Sequence, residues 1–191
     1  MRPRIIQFTP GMEQRDFRSV APGHWDWDKL PRLGSSAATP GNPDSEVADW
    51  SVAPEDWGTF LTTVWDEWMQ RDFGRVFVDQ FENVLSQLLG RGPQKCVNGR
   101  ICGKALALEY NGDLYSCDHF VYPEYKLGNI RDIHEGELAF SEQQKKFGYA
   151  KSDSLPQYCR TCAYLELCWG ECPKNRFIKT PDGEKGLNYL C

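Results

Sequence analysis

The feature that most constrains this chain is a run of four cysteines near its end: Cys159, Cys162, Cys168 and Cys172, closed by Pro173. Their spacing is C-x2-C-x5-C-x3-C-P, and a C-x2-C turn directs both of its sulfurs toward one centre. This spacing is typical of metal-thiolate sites and is a poor pattern for a disulfide framework. The run therefore predicts a place where several thiolates converge on a metal.

The remaining cysteines suggest a second site of the same kind. Cys96, Cys102 and Cys117 lie upstream, and Cys191 is the last residue, so the eight cysteines can form two sets of four. In the bacterial ferredoxin run C-x2-C-x2-C-x3-C-P, the last cysteine ligates a different cluster from the first three. By that pattern, Cys191 joins the first three cysteines of the run, and Cys172 completes the upstream three. Spacing alone leaves this division open, because eight ligands can be grouped in many ways.

Three other accounts of the cysteines stay open. Structural zinc accepts the same tetrahedral thiolate sets as iron. Disulfides are disfavoured, because the sequence shows no signal peptide and 191 residues can bury a core without cross-links. Unrelated buried cysteines are disfavoured, since all eight fall within residues 96–191. A shared metal-binding role is therefore the preferred interpretation.

Composition excludes several classes of function. The formal net charge of -5 provides no broad basic field, so a nucleic-acid partner is not expected. No apolar run approaches the roughly 18 residues that a membrane-spanning helix needs, so no membrane partner is expected either. With 40% hydrophobic and 13% aromatic residues in a chain of 191, we expect one large or two small globular domains in the cytoplasm.

The first half of the chain has the pattern of an α/β layer. Short apolar strands are predicted at residues 4–8 and 76–78. Amphipathic helices are predicted from Pro54 to a stop at Gly74, and over residues 81–90. The first helix has an apolar stripe at helical spacing, which we expect to pack against a sheet: Trp57, Phe60, Leu61, Val64, Trp65 and Trp68.

Residues 11–53 interrupt that pattern with a polar stretch rich in proline and glycine. This composition predicts a long loop, and simple disorder is the plain alternative. Trp25 and Trp27 could dock on a core or on a ligand. The sequence does not distinguish these outcomes.

The second half carries the cysteines on loops and short strands. Residues 105–117 predict a β-hairpin, because Asn111-Gly112 readily takes the positive φ values of a tight turn. This hairpin delivers Cys117 at its end. A weaker helical pattern covers residues 133–147. Lys174 and Arg176 follow Cys172 and could offset the charge of a metal centre, although a solvated surface is the preferred account for each.

Longer stretches around the cysteines resemble one family. They are the spacing Cys96-x5-Cys102-x14-Cys117, the segment 114–129 (Leu-Tyr-Ser-Cys-Asp-His-Phe-Val-Tyr-Pro-Glu-Tyr-Lys-Leu-Gly-Asn), the run 159–173 and Gly186-Leu-Asn-Tyr-Leu-Cys191. These stretches resemble the C-terminal half of anaerobic sulfatase-maturating enzymes, which are radical S-adenosylmethionine (SAM) proteins with a SPASM auxiliary-cluster domain. The resemblance is close over about 91–191 and looser over residues 5–8 and 50–90.

The resemblance implies an architecture of two parts. Residues 1–90, with the loop at about 11–53, would be an α/β remnant of a partial TIM-type barrel. Residues 91–191 would be a small α+β SPASM domain with a β-hairpin and two [4Fe-4S] clusters. Cluster I would be held by Cys96, Cys102, Cys117 and Cys172 (set I), and cluster II by Cys159, Cys162, Cys168 and Cys191 (set II), which disfavours zinc.

The resemblance also implies an activity. In the family, reductive cleavage of SAM gives a 5'-deoxyadenosyl radical, which takes a β-hydrogen from the cysteine or serine of a Cys/Ser-x-Pro-x-Arg segment of an unfolded sulfatase. The product is Cα-formylglycine, and a flavodoxin or ferredoxin serves as reductant. Asp118 matches the aspartate that follows the third cysteine in the family. The resemblance implies that this aspartate takes the proton of the substrate thiol or hydroxyl. The alternative is that Asp118 only caps the end of the hairpin. We treat the neighbouring His119 as structural.

One departure from the family is large. The radical-cluster loop C-x3-C-x2-C and the glycine-rich segment that holds SAM are both missing. We therefore expect a C-terminal fragment, truncated at both ends and inactive alone, with the third [4Fe-4S] cluster and SAM belonging to a longer protein. Two alternatives stay open: a free-standing SPASM iron–sulfur module for peptide docking or electron transfer, and a maturase of another peptide.

Overall fold

The computed structural model describes residues 4–191, and its first part follows the predicted order of strand, helix, strand and helix. Strand β1 (Ile5–Ile6) pairs in parallel with β2 (Phe77–Val78), so that Ile5 lies opposite Phe77. Helices α1 (Pro54–Arg71) and α2 (Asp79–Leu88) follow β1 and β2 in the chain. The predicted elements are therefore present, whereas their origin in a TIM-type barrel stays a prediction.

The aromatic stripe of α1 is buried toward its C-terminal end. Trp68 packs with Val78 and Phe81 in one buried cluster, and its indole N–H donates to the carbonyl of Val76 at 2.7 Å. Phe60, near the start of the helix, remains 40% exposed. The predicted packing against the strand pair is thus confirmed for the last turns of α1 and not for its first turns.

The second part contains the predicted hairpin and a third strand that the pattern did not indicate. Gly112 makes the turn with φ +89°, and a Cβ there would lie 2.8 Å from the side chain of Asn129. Strands β3 (Ala107–Leu108), β4 (Asp113–Tyr115) and β5 (Lys126–Asn129) form an antiparallel sheet in that order. The hairpin prediction is confirmed, and β5 completes the sheet.

The predicted helix over 133–147 is two helices, α3 (Glu135–Ala139) and α4 (Glu142–Asp153). Ser141 separates them, because its hydroxyl accepts from the N–H of Gln144 at 3.2 Å and caps α4. The chain then continues through α5 (Gln157–Arg160), α6 (Leu165–Cys168) and the antiparallel pair β6 (Ile178–Lys179) and β7 (Lys185–Leu187).

The long loop of residues 11–53 is irregular but packed, so the disorder alternative is wrong. Its backbone extends the last strand pair, since the N–H of Lys179 donates to Pro31 and the N–H of Leu33 donates to Lys179. Its apolar side chains share one core with the C-terminal residues: Met12, Trp25, Leu30, Val47, Phe177, Ile178, Leu187 and Tyr189. The loop therefore packs against the cysteine-bearing half of the chain.

We expect Trp25→Ala to lower the free energy of unfolding by about 3–5 kcal/mol, the usual cost of truncating a buried aromatic side chain. Trp25 is 7% exposed and packs edge-on against Phe177 with ring centroids 6.3 Å apart. Trp50→Ala is the matched control, because Trp50 is 60% exposed. Its expected cost is below about 1 kcal/mol. Equal losses for the two variants in urea unfolding would contradict the docking of the loop.

Across residues 4–191, no helix combines the length and apolar character required to cross a bilayer.

Candidate metal centre

All eight cysteines are free thiols in the described part of the chain. The disulfide account of the sequence is therefore wrong for this structure. In space, the four cysteines of set II line one cavity, whereas Cys102, Cys117 and Cys172 of set I are grouped elsewhere.

The four cysteines of set II surround one cavity of about 230 Å³. Helix α5 supplies Cys159 and the end of α6 supplies Cys168, while a turn between the helices supplies Cys162 through a bond from its N–H to the carbonyl of Cys159. Cys191 reaches the same cavity from the end of the chain. Apolar walls close the space: Trp57, Leu165, Leu187 and Leu190.

Set I gathers around the end of the hairpin. The thiols of Cys102 and Cys117 share a hydrogen bond, which lowers the pKa of Cys102 to about 6 and raises that of Cys117. Cys117 and Cys172 belong to one buried cluster with Phe120. Cys96 lies in a short 3-10 helix that follows α2. Segments far apart in sequence therefore bring Cys102, Cys117 and Cys172 to one region.

A buried lysine fixes the segment that carries Cys96. The ammonium of Lys151, on α4, donates at 2.7 Å to the carbonyls of both Cys96 and Val97. Lys151 is only 1% exposed, and burial lowers its pKa. Sequence reasoning missed this residue, because a lysine in a charged helix pattern has no local mark of burial.

Burial also affects the sulfurs. It raises the pKa of Cys172 to about 12 and that of Cys159 to about 11. A thiolate in such surroundings is unfavourable unless positive charge lies next to it, and a bound metal supplies that charge. The chemistry of both cysteine sets therefore suits metal ligation.

The cysteine sulfurs of the described residues are spaced more widely than a compact single-ion site of three or four thiolates requires. A tetrahedral zinc with bonds of about 2.3 Å would hold its four sulfurs about 3.8 Å apart. Within residues 4–191, no three cysteine sulfurs all lie within 4.8 Å of one another. The set II cavity, about 230 Å³, is also several times the roughly 30 Å³ that one water occupies in the liquid.

Asp118 and His119 both touch the sulfurs of set I. The thiol of Cys117 donates to Oδ1 of Asp118 at 3.1 Å, and this bond lowers the pKa of the Asp118 carboxyl. Nδ1 of His119 lies 3.4 Å from the sulfur of Cys172. Both side chains remain exposed, so the Asp118 carboxylate is open to solvent beside a buried cysteine. The contact of His119 with Cys172 could not be predicted, because no local pattern links residues 53 positions apart.

A left-handed turn joins Cys168 of set II, at the end of α6, to Cys172 of set I. Trp169, Gly170 and Glu171 have φ values of 48°, 66° and 53°. Their three carbonyls accept hydrogen bonds from the guanidinium of Arg176, at 2.7, 2.9 and 3.3 Å respectively. Arg176 is 3% exposed, so the solvated-surface interpretation is wrong for it. Its neighbour Lys174 pairs with Glu13, which is a buried residue of the long loop.

We expect Gly170→Ala to cost about 1–3 kcal/mol more in unfolding free energy than Gly41→Ala, the usual range for overpacking. Both glycines have positive φ, so both variants pay the same backbone cost. A Cβ at Gly170 would lie 2.5 Å from Leu155 and 2.8 Å from Arg176, whereas a Cβ at Gly41 meets nothing within 4 Å. Urea unfolding under reducing conditions measures the difference, and equal costs would contradict the tight turn.

Comparison with known proteins agrees with a cluster-binding role. The sequence profile of SPASM, an iron-sulfur cluster-binding domain, matches residues 96–163. That stretch contains five of the eight cysteines: Cys96, Cys102, Cys117, Cys159 and Cys162.

The chain is also similar to larger proteins over most of its length. It is 51% identical over 97% of its residues to a serine-type anaerobic sulfatase-maturating enzyme of Bacteroides thetaiotaomicron, of which the match covers 42%. A cysteine-type anaerobic sulfatase-maturating enzyme of Clostridium novyi is 34% identical over 80% of the chain, and 41% of that relative is covered. This chain therefore spans about two fifths of the length of these relatives.

A solved structure supports the same relationship. Native anSMEcpe with bound AdoMet and a Kp18Cys peptide superposes with a TM-score of 0.66 and 27% identity. The superposition covers 80% of this chain and 41% of that chain. Residues 96–163 thus match the SPASM iron–sulfur cluster-binding domain, and the chain is similar to anaerobic sulfatase-maturating enzymes over about two fifths of their length.

Proposed function

We propose that this chain is the cluster-binding part of a radical SAM enzyme that oxidises a cysteine or serine of a sulfatase to Cα-formylglycine. In this proposal set I and set II each hold one [4Fe-4S] cluster, which supplies a route for the electron that the substrate loses. A third cluster and SAM belong to the longer protein. The partners are an unfolded Cys/Ser-x-Pro-x-Arg segment of a sulfatase and a flavodoxin or ferredoxin as reductant.

The observation that carries the proposal is the grouping of seven of the eight free thiols. Set II lines one cavity, while Cys102, Cys117 and Cys172 of set I come together around the end of the hairpin. If each set holds one cluster, the eight cysteines of the described residues ligate every iron. No iron is then left without a protein ligand to bind SAM. Clusters fully ligated by protein suit electron transfer, because their irons have no position for a substrate.

We assign Asp118 the role of general base. The oxidation removes one hydrogen atom from the β-carbon, one proton from sulfur or oxygen, and one electron, and a C=S or C=O bond forms. With cysteine, water then hydrolyses the C=S group to the aldehyde and releases hydrogen sulfide. The exposed Asp118 carboxylate would accept the proton. Asp118 directly follows Cys117 in the chain, which places its carboxylate beside set I. A proton and an electron would then leave the substrate at neighbouring places.

A chimera tests the proposal directly. This chain would replace the matching C-terminal part of the Bacteroides thetaiotaomicron relative, to which it is 51% identical. After anaerobic reconstitution, the chimera is given SAM, a reductant and sulfatase peptides with either cysteine or serine at the target position. We expect formylglycine on at least one peptide by mass spectrometry. A chimera that carries all its iron and cleaves SAM but modifies neither peptide would contradict the proposal.

A further inference from the structure

Two buried cations lie together between the cysteine sets. Nη1 of Arg176 donates to the backbone carbonyl of Lys151 at 2.7 Å, and both side chains are at least 97% buried. Every hydrogen bond of the Arg176 guanidinium goes to a backbone carbonyl. Lys151 likewise donates only to carbonyls. Carbonyl dipoles therefore surround both charges without neutralising them.

No carboxylate of the described residues pairs directly with these two charges. Within residues 4–191, neither Arg176 nor Lys151 forms an ion pair within 4.0 Å. Glu171 is in the same turn, but its Oε2 accepts from the amides of Asn175 and Asn188 at 3.0 and 2.8 Å. Burying two like charges without a counter-ion costs several kcal/mol, so an anionic group is expected beside them.

The cysteine sets provide that negative charge on both sides. Arg176 holds the turn 169–171, which runs from Cys168 of set II to Cys172 of set I. Gly170, whose carbonyl accepts from Arg176, also lines the set II cavity. On the other side, Lys151 holds the carbonyl of Cys96 from set I.

We propose that Arg176 is the shared countercharge of the two thiolate sets and that it raises the reduction potentials of the clusters they hold. A four-iron cluster with four thiolates is anionic and becomes more so on reduction, so a fixed positive charge favours the reduced form. Arginine suits this role because it stays protonated even when buried. Arg176 is a positioning and tuning residue in this account, and the account rests on the proposed two-cluster function.

The test compares three variants of the chain after anaerobic reconstitution. Arg176→Met removes the charge and keeps much of the stem, Arg176→Lys keeps the charge and loses the planar fork, and Arg131→Met removes a charge from an exposed position as control. Iron and sulfide are counted, and the potentials are measured by redox titration followed by EPR. We expect Arg176→Met to make reduction about tenfold less favourable, which is about 59 mV for one electron. Arg176→Lys and Arg131→Met should stay near the wild type.

The outcomes distinguish an electrostatic role of Arg176 from a merely structural one. Unchanged potentials in a fully loaded Arg176→Met chain would overturn the inference. If Arg176→Met fails to load iron while Arg176→Lys loads, the need for the charge is supported. If both Arg176 variants lose iron equally, the residue only holds the turn, and the inference is wrong. A wild-type chain that binds no iron would contradict the proposed function itself.

Discussion

Replacing Cys168 and Cys172 together is expected to remove almost all iron from the chain, whereas replacing Cys168 and Cys159 together should leave about four irons of about eight. Cys168 and Cys172 are close in sequence, but the account assigns them to different clusters. Cys159 and Cys168 line the same cavity, and the proposal assigns both to one cluster. The loss of one cysteine already removes the cluster of its set, so a second replacement in the same set removes no further iron. A second replacement in the other set removes the remaining cluster.

The measurement is an iron and acid-labile sulfide count on each double alanine variant after anaerobic reconstitution. The pair Cys117 and Cys172 is the matched control for set I and should also leave about four irons. Circular dichroism verifies that each variant keeps its helices. A Cys168/Cys172 double variant that retains about four irons would place these cysteines in one set and would reject the division.

Asp118→Asn should lower formylglycine formation in the chimera by about 10²–10⁴-fold, the usual contribution of a positioned general base. Asparagine keeps the shape of the side chain and cannot take the proton. Cleavage of SAM and the iron content should stay at the level of the unchanged chimera, because Asp118 belongs to neither cysteine set. Mass spectrometry of the peptide and quantification of 5'-deoxyadenosine separate the two steps.

Asp182→Asn is the control for Asp118, since Asp182 is also an exposed aspartate but lies outside the cysteine sets. It should leave formylglycine formation unchanged. Formylglycine at the unchanged rate in Asp118→Asn would reject the base assignment while leaving the cluster assignment intact. A loss of iron in Asp118→Asn would instead give Asp118 a structural role, through its bond with Cys117.

Local patterns in the sequence predicted the elements that depend on neighbouring residues. The helix from Pro54 and the turn at Asn111-Gly112 are where the pattern indicates, because proline and glycine act on their own backbone. The division of the cysteines came from the ferredoxin spacing pattern and from the family resemblance, because spacing alone left it open. The spatial grouping agrees with that division, although the ligand sets themselves remain proposals.

Contacts between distant segments could not be predicted in the same way. The loop of residues 11–53 has no periodic apolar pattern, yet Val47 is completely buried against the C-terminal core. Arg176 and Lys151 are buried because several distant carbonyls converge on them, and a single sequence does not contain that information. These two cations and the contact of His119 with Cys172 are the main features that only the structure provided.

The central claim is that cysteines from both ends of residues 96–191 hold iron and sulfide in two separate centres. The most direct test is to count iron, zinc and acid-labile sulfide in the wild-type chain after anaerobic purification and reconstitution. The account predicts about eight irons and about eight sulfides per chain, and almost no zinc. Two zinc ions per chain without sulfide, or about four irons with the remaining thiols free to react with alkylating agents, would contradict it.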